Sequence, residues 1–211
     1  MTEETEQRNE NVLLDAYHNS RILENLNKPN TQFIQNAAQL NKQAKVLLEF
    51  FHKFQENLKL NKISSASLRT GSGFLINSEN ISSGENELDN IVEVIDFDPV
   101  RNNMMVIGNK PAANGTVLHW FIYRGLPEIN AIIILEDQEI LERFNTGAFS
   151  KLVYKDGIMN VDLAIKVLKF VKESNITLLF GSIINGIILV GKTMNDTYDL
   201  LKINIQKFSK P

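Results

Sequence analysis

The chain has 211 residues, 43% of them hydrophobic, so it can bury one large core, and its formal charge of −3 calls for neither nucleic acid nor an anionic membrane as partner. It contains no cysteine, which excludes disulfides, thiolate metal ligands and thiol nucleophiles. The acidic, polar start MTEETEQRNEN has no basic patch followed by an apolar run and does not read as a signal peptide, so a cytoplasmic location is expected.

Residues 1–11 read as a disordered polar tail, and 12–30 as a helical extension with Val12, Ala16, Leu23 and Leu26 at roughly helical spacing. Pro29 stops that segment, and Asn30 or Thr31 is placed to cap a new helix. Phe33, Ala37, Leu40, Ala44, Leu47, Phe51, Phe54 and Leu58 alternate spacings of four and three, which predicts one long amphipathic helix. Its stripe is either the core face of the first helix of a domain over 31–211 or a seam for a second copy.

From Ile63 to Ile107 the pattern shifts to short apolar runs, ASLR, GFLIN, IVEVIDFD and NMMVIG, separated by Ser, Gly and Asn. These predict strands joined as antiparallel hairpins, with Glu93 and Asp96 turning one face of the third toward water. Thr70-Gly71-Ser72-Gly73 lacks the Lys and following helix of a nucleotide-binding loop and reads as a hairpin turn. NGTVLHWFIYR predicts a helix starting near Thr116 and ended by Gly125, and AIIIL at 131–135 a strand buried on both faces. DQEILERF returns to helical spacing, and Asn160 caps a helix to Lys172. The apolar stretch from Ile176 to Val190 is too short for a membrane span and is broken by Gly181, Ser182 and Asn185-Gly186. It predicts two strands with a tight Asn-Gly turn, followed by a helix capped by Thr193 and Asp196. This order of elements gives an α+β or α/β/α layered domain without internal repeats.

Several segments, in this order, resemble the class II aldolase/adducin family. They are Ser67-Leu68-Arg69 with Phe74-Leu75-Ile76, Lys110-Pro111, Leu118-His119, Tyr123-Arg124, Pro127 to Ile133, and Gly186 to Thr193. The resemblance implies a three-layer α/β/α domain around a mostly antiparallel sheet, assembled as a homo-oligomer, a tetramer in the family's usual arrangement. It implies metal-dependent chemistry, commonly with zinc, on small phosphorylated sugars, or the assembly role that adducin gives the same domain.

This sequence departs from the family's site. The positions of the metal-binding histidines hold Ile134, Glu136 and Asn185, and the acid/base position four residues before His119 holds Gly115. Imidazole supplies neutral donors that keep zinc Lewis-acidic enough to stabilise an enediolate, and Ile134 supplies none. The phosphate-binding positions fall on Ser64-Ser65 and Ser78-Glu79, leaving Ser65 and Ser78 as hydroxyl candidates beside a repelling carboxylate. Glu136, Asp137 and Glu139 with Asn185 offer oxygens to Mg2+ or Ca2+, although acids at the start of a helix have an ordinary electrostatic reason to be there. His119 has the chemistry of a general base, but Leu118 and Trp120 beside it suit a packed helix position; His18 and His52 are assigned no chemistry.

Two function classes follow. One is a non-catalytic, oligomeric binding or assembly module, with no cofactor predicted. The alternative is a lyase or isomerase acting on a small sugar phosphate through an altered divalent metal site.

Overall fold

The computed structural model describes residues 30–34, 42–58, 63–71, 73–79, 81, 87–136, 161–174, 179–182 and 186–208. Eight strands form one sheet: β1 (Asn30–Ile34), β2 (Ile63–Arg69), β3 (Phe74–Asn77), β4 (Ile91–Asp98), β5 (Asn103–Ile107), β6 (Ala131–Leu135), β7 (Leu179–Ser182) and β8 (Gly186–Gly191). Their spatial order is β1-β5-β4-β3-β2-β6-β8-β7, and every pairing is antiparallel except β1 with β5. Among the described residues four α-helices accompany them: α1 (Lys42–Leu58), α2 (Thr116–Gly125), α3 (Val161–Ser174) and α4 (Met194–Phe208). None of these is long and apolar enough to cross a membrane.

The central strands explain the layering. Successive side chains on a strand point to opposite faces, so a strand covered on both sides must be apolar throughout. In β6, Ile132 and Ile134 enter a cluster with Val117, Phe121 and Ile122 of α2 and Val167 and Leu168 of α3. Its Ala131, Ile133 and Leu135 enter a second cluster with Leu47, Phe51 and Phe54 of α1 and Tyr198 and Leu201 of α4. Ile188 and Val190 of β8 join the first cluster, and Ile187 and Leu189 the second. Two helices on each face of one sheet make the three-layer α/β/α domain that the sequence predicts.

Local chemistry sets the ends. Gly115, at φ 86°, holds the left-handed conformation that precedes α2, and the Thr116 hydroxyl donates to the Ala113 carbonyl. Thr193 Oγ1 accepts from the Asp196 amide at 3.1 Å, an N-cap of α4. The β2–β3 turn closes through Thr70 N to Gly73 O at 2.9 Å and Gly73 N to Thr70 Oγ1 at 3.0 Å, as a hairpin turn should. Gly73 must be glycine there, because a Cβ would stand 1.9 Å from the Val94 carbonyl oxygen.

One sequence expectation is corrected. Asn30 and Thr31 do not cap a helix, and the stripe from Phe33 is not helical from its start. Asn30–Ile34 is instead a strand in register with β5, Phe33 opposite Val106, and the helix begins at Lys42. A β-branched and aromatic run beside an unpaired sheet edge gains ladder hydrogen bonds and overrides a weak helical period. The remainder of the stripe behaves as a core face, since Ala44, Leu47, Phe51 and Phe54 are all buried. Residues 1–29, the helix read at 137–144, and Asn160 lie outside the described residues.

Candidate functional site

Among the described residues, the positions singled out by the sequence converge on one end of the sheet. The β2–β6 register sets Ser65 opposite Ile134, and Glu136 follows directly on β6. A register shift between Ile63 and Ser65 interrupts the alternation there, and Ser64 Oγ donates to Glu136 Oε1 at 2.7 Å. Asn77, buried at the end of β3, ties the neighbouring backbone together. Its Oδ1 accepts from Ala66 N at 2.7 Å, its Nδ2 donates to Ser78 O at 3.0 Å, and its carbonyl accepts from Ala113 N at 2.9 Å. Ser78 bridges to Ala112, which brings the start of α2, Gly115 included, to the same end. Asn185 lies outside the described residues.

His119 is fully buried on α2 between two serines of β2. Its Nε2 is 2.9 Å from Ser65 Oγ, its Nδ1 is 2.6 Å from Ser67 Oγ, and Ser67 Oγ is in turn 2.7 Å from the Tyr123 hydroxyl. The Tyr123 hydroxyl donates to the Asn130 carbonyl at 3.4 Å. A carbonyl can only accept, so this end sets the direction of the whole chain. Tyr123 accepts from Ser67, Ser67 accepts from His119 Nδ1–H, and Nε2 accepts from Ser65. Burial pushes the His119 pKa down from 6.5 to about 3, and burial pushes the Tyr123 phenol well above its usual range. The imidazole is therefore neutral at physiological pH, with both nitrogens engaged.

This arrangement gives each described candidate a place. Ile134 is only 1% exposed and packs in the first core cluster, so its side chain belongs to the interior. Ser65 and Ser78, the hydroxyl candidates for phosphate, are both fully buried, and the Ser65 proton is committed to His119. Glu136 is half-buried and hydrogen-bonded to Ser64. Among the described residues no three His, Asp or Glu side chains gather as metal ligands. At the positions that the resemblance gives to metal ligands, Ile134 carries a buried alkyl group and Glu136 a carboxylate that accepts the Ser64 hydroxyl proton. His52, which the sequence gives no chemistry, is exposed and 3.1 Å from Glu87.

The sequence reading gives no site role to Ser67 and Tyr123, which complete the network, or to Asn77, which ties the backbone beside it. Ser67 lies two residues from Ser65 on one strand, hence on the same face, and Tyr123 lies four from His119 on one helix. Those two periodicities are the signal that identifies the first pair.

An α/β/α sandwich around a mostly antiparallel sheet, with a buried β6 preceded by a short helix, is the architecture on which these contacts are built. It is the fold of class II aldolases, as solved structures bear out. L-fuculose 1-phosphate aldolase superposes with a TM-score of 0.59 at 16% identity, covering 79% of this chain and 82% of that one. A sugar-phosphate aldolase from Thermotoga maritima gives 0.56 at 13% identity over 78% and 91% of the two chains. An aldolase II superfamily protein from Pseudomonas syringae gives 0.50 at 15% identity over 79% and 72%. At these identities the likeness is one of fold. No protein-family model and no curated protein matches the sequence.

Proposed function

We propose that this chain is a non-catalytic member of the class II aldolase fold, an oligomeric binding or assembly module in which the catalytic end of the domain has been rebuilt as structure. The observation that carries the reading is the closed hydrogen-bond chain Ser65–His119–Ser67–Tyr123 beside a core-packed Ile134. Every polar group in that chain is satisfied internally, and a satisfied buried network rigidifies a core. A neutral imidazole with both nitrogens bonded to serines has no lone pair left to take a substrate proton. Gly115, at the acid/base position, has no side chain to supply one.

The test measures the metal content of the purified full chain together with its melting temperature on adding Zn2+, Mn2+ or Mg2+. An ion that binds the folded state stabilises it by about 2.7 kcal/mol at a hundred times its dissociation constant, so binding is visible as a rise in Tm. The expected result is sub-stoichiometric metal, no shift, and no cleavage of L-fuculose 1-phosphate or related sugar phosphates. Stoichiometric zinc with sugar-phosphate cleavage would establish the alternative, a lyase or isomerase with an altered site drawing on Glu136. The assembly half of the reading is tested by light scattering: a strict monomer at micromolar concentration removes it.

A further inference from the structure

The turn that leads into α2 carries a reactive pair. Thr116 N donates to Ala113 O at 3.3 Å and the Thr116 hydroxyl donates to the same oxygen, which closes Ala113 to Thr116 into a turn. Gly115, at φ 86° and ψ −1°, fills the position that a type II turn reserves for glycine, since a side chain is strained there. Asn114 precedes it and is exposed. The fold therefore sets an Asn-Gly pair at the surface for a conformational reason, next to the Ala113 amide that donates to Asn77 O at 2.9 Å.

An asparagine closes to a cyclic imide when the next backbone nitrogen reaches its Cγ. A side chain on the next residue shields that nitrogen, and a hydrogen bond on it or on the asparagine amide holds the two groups apart. Gly115 has no side chain, and neither its N–H nor the Asn114 side chain has a hydrogen-bond partner among the described residues. Ring closure needs a rotation about Asn114 Cα–C, which the turn opposes through the two Thr116 bonds to Ala113 O, neither of them made by Asn114 itself. Asn109 and Asn195 are exposed as well, but they are held. Asn109 Nδ2 donates to Asp89 Oδ1 at 3.0 Å, and the Asp196 amide that follows Asn195 donates to Thr193 Oγ1 at 3.1 Å. Lys110 and Asp196 also carry the side chains that Gly115 lacks.

We propose that Asn114 is a site at which the folded chain modifies itself, by deamidation to a mixture of isoaspartate and aspartate. Gly115 N loses its proton to hydroxide and its electron pair forms a bond to Asn114 Cγ; the Cγ–Nδ2 bond breaks, and the nitrogen leaves as ammonia with a proton from water. Water then opens the imide. Cleavage at Cγ gives aspartate, and cleavage at the main-chain carbonyl gives isoaspartate. Either product adds one negative charge to the formal −3 of the chain. Aspartate places that charge at the positive end of α2, where it is favoured. Isoaspartate instead lengthens the main chain by one methylene between Ala113, held by Asn77 O, and Thr116, so the entry to α2 has to shift. The reaction needs only water and stands whether or not the aldolase-like end is catalytic.

The test ages the full chain, folded, at mildly alkaline pH and follows each asparagine by tryptic digestion and fragment mass spectrometry. The expected result is the mass gain of amide to acid at Asn114, as both isomers, at least about tenfold faster than at Asn109 or Asn195, a barrier difference of about 1.4 kcal/mol. The rate should rise with pH, because the attacking nitrogen has to lose its proton. Asn114→Gln, on an exposed position, should abolish the reaction there. Anion exchange separates the aged forms by their added charge, and the isoaspartate form should melt below Asn114→Asp. Asn185, in the other Asn-Gly pair of the sequence, falls in a separate tryptic peptide and does not obscure the result. A rate at Asn114 no greater than at Asn109 or Asn195, reaction in urea but not in the folded chain, or aspartate without isoaspartate, the mark of direct hydrolysis, overturns the proposal.

Discussion

The neutral His119 makes a quantitative prediction about stability and pH. In the unfolded chain the imidazole titrates at about 6.5, whereas in the folded protein burial holds its pKa at about 3. Below pH 6.5 the unfolded state binds a proton that the folded state refuses, so the contribution is fully present above that pH and is lost as pH falls toward 3. The loss is about 1.4 kcal/mol per pH unit, or about 2 kcal/mol at pH 5 relative to neutrality. At pH 5 the result is insensitive to the folded value, since any folded pKa well below 5 gives nearly the same loss. For a chain of this length about 2 kcal/mol is about 4–8 °C in Tm. The assay compares Tm at pH 7.5 and pH 5 for the native chain and for His119→Gln, which keeps an acceptor but does not titrate. Carboxylates, the exposed His52 and other groups common to both proteins cancel in the difference. Asp98, whose pKa is lowered first by the Arg101 backbone amide, loses its contribution only below its ordinary 3.8, outside this interval. Equal pH dependence in the two proteins would refute the buried, neutral imidazole and with it the direction assigned to the hydrogen-bond chain.

Three other outcomes follow from the same structure. Ile134→Ala, which empties a core position, should cost about 2–5 kcal/mol by chemical denaturation, whereas a residue at the rim of an open site would cost little. Gly73→Ala should lower Tm strongly because its Cβ meets the Val94 carbonyl oxygen at 1.9 Å, while Gly71→Ala, with nothing within 4 Å, should leave Tm nearly unchanged. Thr193→Ala should cost about 1 kcal/mol of stability by removing the N-cap of α4, and Thr193→Ser should restore most of it.

The sheet was legible because its strands obey period two and its hairpins carry Gly and Asn where the chain turns. The run AIIIL could only be a strand covered on both faces, and both core clusters now claim alternate residues of it. The first helix was misread at its start for the converse reason. Spacings of four and three fit a helix, yet Asn30–Ile34 is short enough to fit a strand as well, and only the edge of β5, 73 residues further along the sequence, decides between them.

The candidate site was half legible. The resemblance assigns Ile134 and Gly115 to site positions, but the sequence does not say what the polar groups around them do. Ser65 is read from the sequence as a hydroxyl candidate and His119 as suited to a packed helix position; in the fold His119 is buried and the two bond to each other. Ser67 and Tyr123 supply the rest of the chain, out to a backbone carbonyl. Buried polar atoms cost about 1–3 kcal/mol each when unpaired, and a linear chain of hydroxyls around one imidazole satisfies them with small side chains. On this argument Ser67→Ala should destabilise the protein more than Ser64→Ala: the first strands the imidazole N–H in the interior, whereas Ser64 and Glu136 are half-buried and can turn to water.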